Sequence, residues 1–101
     1  STNAYDKKFT DSLSHLKFDV LLDDGPHTLE SMIQFIELYL PLLADNGVFI
    51  IEDIKDPSWF DVLRRKTPRH LHKFIRTYDL RPQRPHNKNK DDLVFVIDKS
   101  V

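Results

Sequence analysis

The chain contains no cysteine, which excludes disulfides and any cysteine-ligated zinc or iron–sulfur centre. Small secreted domains commonly depend on such staples, so the expectation is a cytoplasmic protein. Glycine is nearly as scarce. Only Gly25 and Gly47 occur in 101 residues, against an average of about seven per hundred. They lie too far apart to form a phosphate-cradling loop of the G-x-G-x-x-G or P-loop kind. A nucleotide-like cofactor would need something that these residues do not supply. Long apolar runs are missing too. The longest, Leu93–Ile97, has five residues, against the roughly 20 that cross a bilayer. No basic start followed by an apolar block is present, so no secretory signal and no membrane partner are expected. Hydrophobic residues make up 40% and charged residues 31%, the balance of a folded chain rather than a disordered one. The length allows one domain at most, or part of one.

The net charge of −1 hides an uneven distribution. Residues 1–63 carry a net of −8, residues 64–90 a net of +9, and the last eleven a net of −2. A basic block can mark a polyanion partner. Here aromatic residues are not interleaved through Arg81–Lys90 as base stacking would require. The block reads instead as a complement to the acidic half or as a solvated loop, and a nucleic-acid partner is not expected.

Ser1–Ala4 are small, polar and patternless; they read as a cloning remnant and are set aside from the fold. Tyr5, Phe9, Leu13 and Leu16 fall on one helical stripe. Phe18–Leu22 reads as a buried strand that stops at Asp23-Asp24-Gly25-Pro26. Thr28 is a helix cap, and Leu29, Met32, Ile33, Ile36, Leu40 and Leu43 follow at helical spacing. Pro41 predicts a kink or break, and Asp45-Asn46-Gly47 the stop. Val48–Ile51 is a second buried strand, ending in Glu52-Asp53. A short helix opens at Pro57 or Ser58 and runs to about Arg65. Lys73–Asp79 alternates like a strand, Leu80–Lys90 is a loop, and Leu93–Ile97 is a last strand predicted to be covered on both faces. Strands separated by helices predict parallel crossovers. The last two, joined by a loop, predict an antiparallel pair. The fold class is α/β, parallel strands with a C-terminal antiparallel hairpin.

Ligands of open parallel sheets bind beyond the carboxyl ends of the strands. Asp23 and Asp24 end the first strand, with His27 three residues on, and Glu52 and Asp53 end the second. If those strands are neighbours, four carboxylates and an imidazole gather at one edge. Their mutual repulsion would be offset by a hard cation such as Mg²⁺, which takes oxygen ligands. Imidazole is suited to removing a proton near neutrality, which makes His27 the candidate general base. His15, His70, His72 and His86 have no such company and read as surface or packing residues. His70-x-His72 lacks the i, i+4 spacing of a zinc pair.

The segment FDVLLDDGPHTLESMIQFIELYLPLLADNGVFIIEDI, Phe18–Ile54, resembles the middle of class I S-adenosylmethionine-dependent methyltransferases. It is most similar to the metal-dependent sugar O-methyltransferases of the macrocin and mycinamicin type and their cephalosporin-hydroxylase-like relatives. That subgroup carries DDGSH after its fourth strand and IED after its fifth. Here Asp23-Asp24-Gly25-Pro26-His27 departs by one residue, Pro26 for serine, and Ile51-Glu52-Asp53 follows the second motif. Tyr78–Arg81 and Asp91–Lys99 resemble the subgroup's last two strands. The resemblance covers about eighty residues and implies a partial Rossmann-like sheet. It makes 5–101 the C-terminal part of a methyltransferase domain, without the glycine-rich cofactor-binding half. It implies that Asp24, Glu52 and Asp53 hold Mg²⁺, with Asp23 the less certain carboxylate. It also implies that His27 takes the proton of a hydroxyl on a sugar-like or small-molecule acceptor, and that the methyl comes from S-adenosylmethionine. The isolated segment is expected to be inactive.

Two other readings are a non-catalytic interaction or oligomerisation module and a receiver-like phospho-acceptor domain. The second needs a further acceptor Asp after a third strand and a Lys after the fifth; here the second acidic cluster comes too early and Lys99 too late. By resemblance the sheet order would be Phe18–Leu22, Val48–Ile51, Leu93–Ile97, Lys73–Asp79. The first of these would lack a partner along one edge, and an exposed apolar edge is a template for another chain. A homo-oligomer through strand 18–22, or through an exchanged Tyr5–Leu16 helix, is expected. The competing expectation is a monomer with that helix folded over the edge.

Overall fold

The computed structural model describes residues 16–23, 25–83, 85–86 and 91–101. The stripe Tyr5–Leu16 lies outside the described residues except for Leu16. Strand β1, Phe18–Asp23, leads through a turn to helix α1, Leu29–Tyr39, and then to strand β2, Leu43–Ile54. Helix α2, Trp59–Lys66, follows, then a 3-10 turn at Arg69–Phe74, strand β3 at Ile75–Asp79, and strand β4 at Leu93–Asp98. The four strands form one sheet in the order β1-β2-β4-β3. β1 and β2 are parallel, and β4 is antiparallel to both β2 and β3. The chain is therefore mixed α/β, and the order is that expected from the sequence.

Helix α1 starts as its residues dictate. Thr28 is extended, and its hydroxyl accepts from the Ser31 N–H at 3.1 Å while the Ser31 hydroxyl accepts from the Thr28 N–H at 3.3 Å. Each satisfies a donor that the first turn cannot. At the far end Pro41 ends the α-helix, and Leu40–Leu42 tighten into a 3-10 turn. The buried stripe of α1, Met32, Phe35 and Ile36, covers the sheet, with the Phe35 and Phe49 rings stacked at 4.7 Å. Leu63 of α2 and Phe49, Ile51, Phe95 and Ile97 of the central strands are fully buried in the same cluster.

Five expectations change. Asp45-Asn46-Gly47 do not stop the chain; they lie inside β2, within a bulge. Phe18 to Val20 on β1 pairs with Leu43 to Val48 on β2, so β2 carries three extra residues there. Gly47 suits that crowding: a Cβ on it would meet Leu43 Cδ1 at 2.6 Å and the Asp19 carbonyl oxygen at 3.0 Å. Second, β3 begins at Ile75 rather than Lys73. Pro68 opens a 3-10 turn, with Leu71 N–H donating to the Pro68 carbonyl at 3.0 Å, and the turn absorbs Lys73 and Phe74. Third, Leu93–Ile97 is covered fully on one face alone. Leu93, Phe95 and Ile97 are buried, while Val94 and Val96 are half-buried. Fourth, β2 does not end at Ile51 but carries Glu52 and Asp53 within it. Fifth, Phe18–Leu22 is not a buried strand: among the described residues the helices pack on one sheet face, and the other presents Val20 and Leu22, 60% and 47% exposed.

Candidate functional site

β1 and β2 are adjacent and parallel, with Asp23 opposite Ile51. The carboxyl end of β1 therefore lies beside the Glu52-Asp53 pair. Against β4, Ile51 pairs with Phe95 and Ile54 with Leu93. Three steps on β2 match two on β4, so one extra residue bulges out between them. Bulges of this kind re-aim side chains next to active sites. Asp53 carries the bend: its φ of 61° is the one positive value of a non-glycine residue among the described residues. The left-handed region costs most side chains of order 1 kcal/mol, with Asp and Asn the most tolerant.

The bend carries Asp53 to His27. His27 Nε2 lies 3.3 Å from Asp53 Oδ2, with both side chains about two-fifths exposed. His27 reaches there from the residue before the α1 cap, so the cap hydrogen bonds fix its backbone while the ring stays open to solvent. A carboxylate can only accept. The tautomer that uses this contact therefore holds its hydrogen on Nε2 and leaves the Nδ1 lone pair to receive a proton.

The other sequence candidates fall out differently. Asp23 is 5% exposed, and its Oδ1 accepts from the Gly25 N–H at 3.0 Å. That is the turn-forming role of an aspartate bonding to backbone two residues on. Asp24 lies outside the described residues. Glu52 is exposed. Among the described residues no three His, Asp or Glu side chains converge as a group that could hold a metal. Glu52 and Asp53 are neighbours in sequence, and the described residues do not by themselves assemble a cation site.

His72 is a packing residue as expected, its Nε2 2.8 Å from the Thr67 carbonyl oxygen. His70 borders a cavity of about 360 Å³ at the opposite pole of the sheet, with Lys17, Lys66 and Lys99. His86 is exposed, and His15 lies outside the described residues. The sequence reading gave Asp53 to a metal and missed its pairing with His27. The available signal was an Asp, tolerant of left-handed backbone, two residues after the apolar run ends at Ile51. Among the described residues no helix is long and apolar enough to cross a membrane.

One family model, described as a methyltransferase domain, matches residues 2–54, just over half of the chain. The match takes in β1, α1, β2 and thus both members of the His27–Asp53 pair. No curated protein and no solved structure gives a match.

Proposed function

Because the chain belongs to the methyltransferase-domain family, we propose that it is the acceptor side of an O-methyltransferase site, with His27 as the general base. Methyltransferase domains generally draw their methyl group from S-adenosylmethionine, which supplies a methyl carbon activated by a sulfonium. The observation that carries the reading is the 3.3 Å contact between His27 and Asp53 at the carboxyl ends of two parallel strands. Asp53 orients the ring and stabilises the imidazolium once it forms, as a carboxylate does for an imidazole base in other enzymes. Nδ1 accepts the hydroxyl proton of the acceptor. With its proton taken up by His27, the acceptor oxygen would be free to bond the methyl carbon that the bound cofactor would supply, the sulfonium leaving as a neutral thioether. The transferred proton stays on His27 until solvent removes it.

The finer parts of the reading are proposals of the same kind. The sheet is the C-terminal part of a Rossmann-like methyltransferase domain. Its acceptor is a sugar-like or small hydroxyl compound. Asp24, Glu52 and Asp53 are the oxygens that would hold Mg²⁺, with Asp24 needed to complete the set. A hard cation there would hold the acceptor oxygen near His27.

NMR titration tests the site. Small polyhydroxyl acceptors, with and without Mn²⁺, are added to the labelled chain. Shifts and broadening centred on residues 25–27 and 52–54 support the reading. Changes centred on His70 and His72 contradict it. A small phosphodonor that phosphorylates an aspartate here would favour the receiver reading instead.

A further inference from the structure

We propose that Ser31 is a positioning residue for His27: its hydroxyl clamps the peptide groups on either side of His27 and holds the ring where Asp53 meets it. This role rests on the reading of His27 as the base, and it names what aims the imidazole. His27 lies outside both β1 and α1, between Pro26 and the Thr28 cap. Ser31 stands in the first turn of α1 and is 6% exposed. Its Oγ donates toward the Pro26 carbonyl and accepts from the Thr28 N–H at 3.3 Å. The Thr28 carbonyl also lies 2.9 Å from Oγ. That carbonyl already accepts the Met32 N–H at 3.1 Å. A hydroxyl has one hydrogen to give; the helix serves the Thr28 carbonyl without it, so the Pro26 carbonyl is its acceptor.

A peptide group is rigid and planar. The Pro26 carbonyl belongs to the plane that ends at the His27 nitrogen. The Thr28 N–H belongs to the plane that begins at the His27 carbonyl. Between those planes the only soft backbone angles are φ and ψ of His27. One oxygen bound to both planes constrains both angles, and with them the direction of the His27 Cα–Cβ bond. The ring then keeps only its side-chain angles, and the contact of Nε2 with Asp53 Oδ2 at 3.3 Å selects among these. Both side chains of that pair are about two-fifths exposed, and such a contact between solvated groups is weak by itself. A backbone that is already aimed leaves less freedom to lose when the contact forms. Capping the helix does not require this arrangement. An acceptor at position 31 satisfies the Thr28 N–H, and the donor toward Pro26 is the added feature.

NMR of the labelled chain tests the clamp through the His27 ring. His72 is the internal control, since its ring contacts the Thr67 carbonyl instead. In the unaltered chain His27 is expected to hold one χ1 rotamer, with Nε2 on Asp53. Ser31→Ala removes both donor and acceptor. Ser31→Asp keeps an acceptor for the Thr28 N–H and a negative charge that suits a helix N-terminus, but it has no hydrogen to give Pro26. Both variants are expected to raise the population of rings away from Asp53 about fivefold, the scale of one lost hydrogen bond. Ser31→Asp is expected to keep the helical circular dichroism of the unaltered chain. Ser31→Thr, which keeps the hydroxyl, is expected to hold the single rotamer. A His27 rotamer unchanged in Ser31→Asp, or His27 and His72 disturbed equally, would overturn the proposal. The base reading fails on a different result: a hydrogen on Nδ1 in the unaltered chain contradicts it, whether or not the Ser31 variants release the ring.

Discussion

His27 and Asp53 meet at 3.3 Å although they lie on different segments, one before the α1 cap and one in a bulge of β2. The contact depends on Asp53 holding a left-handed backbone, φ 61°. Conformations of that kind persist where surrounding structure enforces them, and they cluster at functional sites.

This separates the backbone of Asp53 from its carboxylate. Asp53→Gly relieves the strain and removes the carboxylate; Asp53→Ala removes the carboxylate and keeps the strain. We expect Asp53→Ala to be less stable than Asp53→Gly by about 1 kcal/mol, measured by urea unfolding. Both should lose the His27 contact. Equal stabilities would mean that the strain is absent.

Gly47 gives a second test of the same strand. A methyl there would meet Leu43 Cδ1 at 2.6 Å and the backbone oxygen of Asp19 at 3.0 Å. Leu43 is 4% exposed and has little room to move. Gly47→Ala should therefore destabilise by about 1–3 kcal/mol, the usual cost of overpacking. A neutral result in urea unfolding would show that the bulge between β1 and β2 is looser than drawn.

Why was so much of this fold legible, and the bend was not? The Thr28 cap of α1 and its break at Pro41 follow from local chemistry and appear as read, whereas the stripe ends with the helix, Leu40 falling in the 3-10 turn and Leu43 opening β2. The strand order followed from the family resemblance, and the parallel β1–β2 pair from the intervening helix. The bulges are set by pairing across strands, which spacing along one strand does not encode. Hence Asp45-Asn46-Gly47 read as a stop and lie in a strand, and Asp53 read as a strand end and sits at a bend. The apolar run Leu93–Ile97 looked covered on both faces, because hydrophobicity alone does not say how many layers are present. His27 was found by its closeness to carboxylates in sequence, whereas its partner was visible only in three dimensions.

Acid should weaken the chain in a defined direction. The Arg81 guanidinium, then its backbone N–H, hold Asp79 below the usual carboxylate range. The Ser100 hydroxyl and N–H do the same for Asp98, and the Ser58 N–H and hydroxyl for Asp56. A carboxylate whose folded pKa is depressed stabilises the fold above its unfolded value, about 3.9, and that contribution is lost as pH falls through the folded pKa. Thermal unfolding should thus drop below about pH 4. Asp79→Asn should flatten the drop slightly, since the pair is exposed and weak. An unfolding temperature rising with acid there would contradict this.

Cofactor affinity should be low. Dinucleotide-type sites rest on a glycine turn and the helix N-terminus behind it, and the two glycines of this chain are 22 positions apart. Calorimetric titration of the 101-residue chain with S-adenosylmethionine should show no tight binding. A micromolar dissociation constant would require a binding mode unlike the one assumed.

The most direct test reads the His27 ring itself. Nitrogen NMR of the imidazole distinguishes the two neutral tautomers. With Asp53 accepting at Nε2, the hydrogen should sit on Nε2 and Nδ1 should be unprotonated, and Asp53→Asn or Asp53→Gly should shift that balance. A ring that carries its hydrogen on Nδ1, unchanged by either substitution, would contradict the assignment of His27 as a base oriented by Asp53.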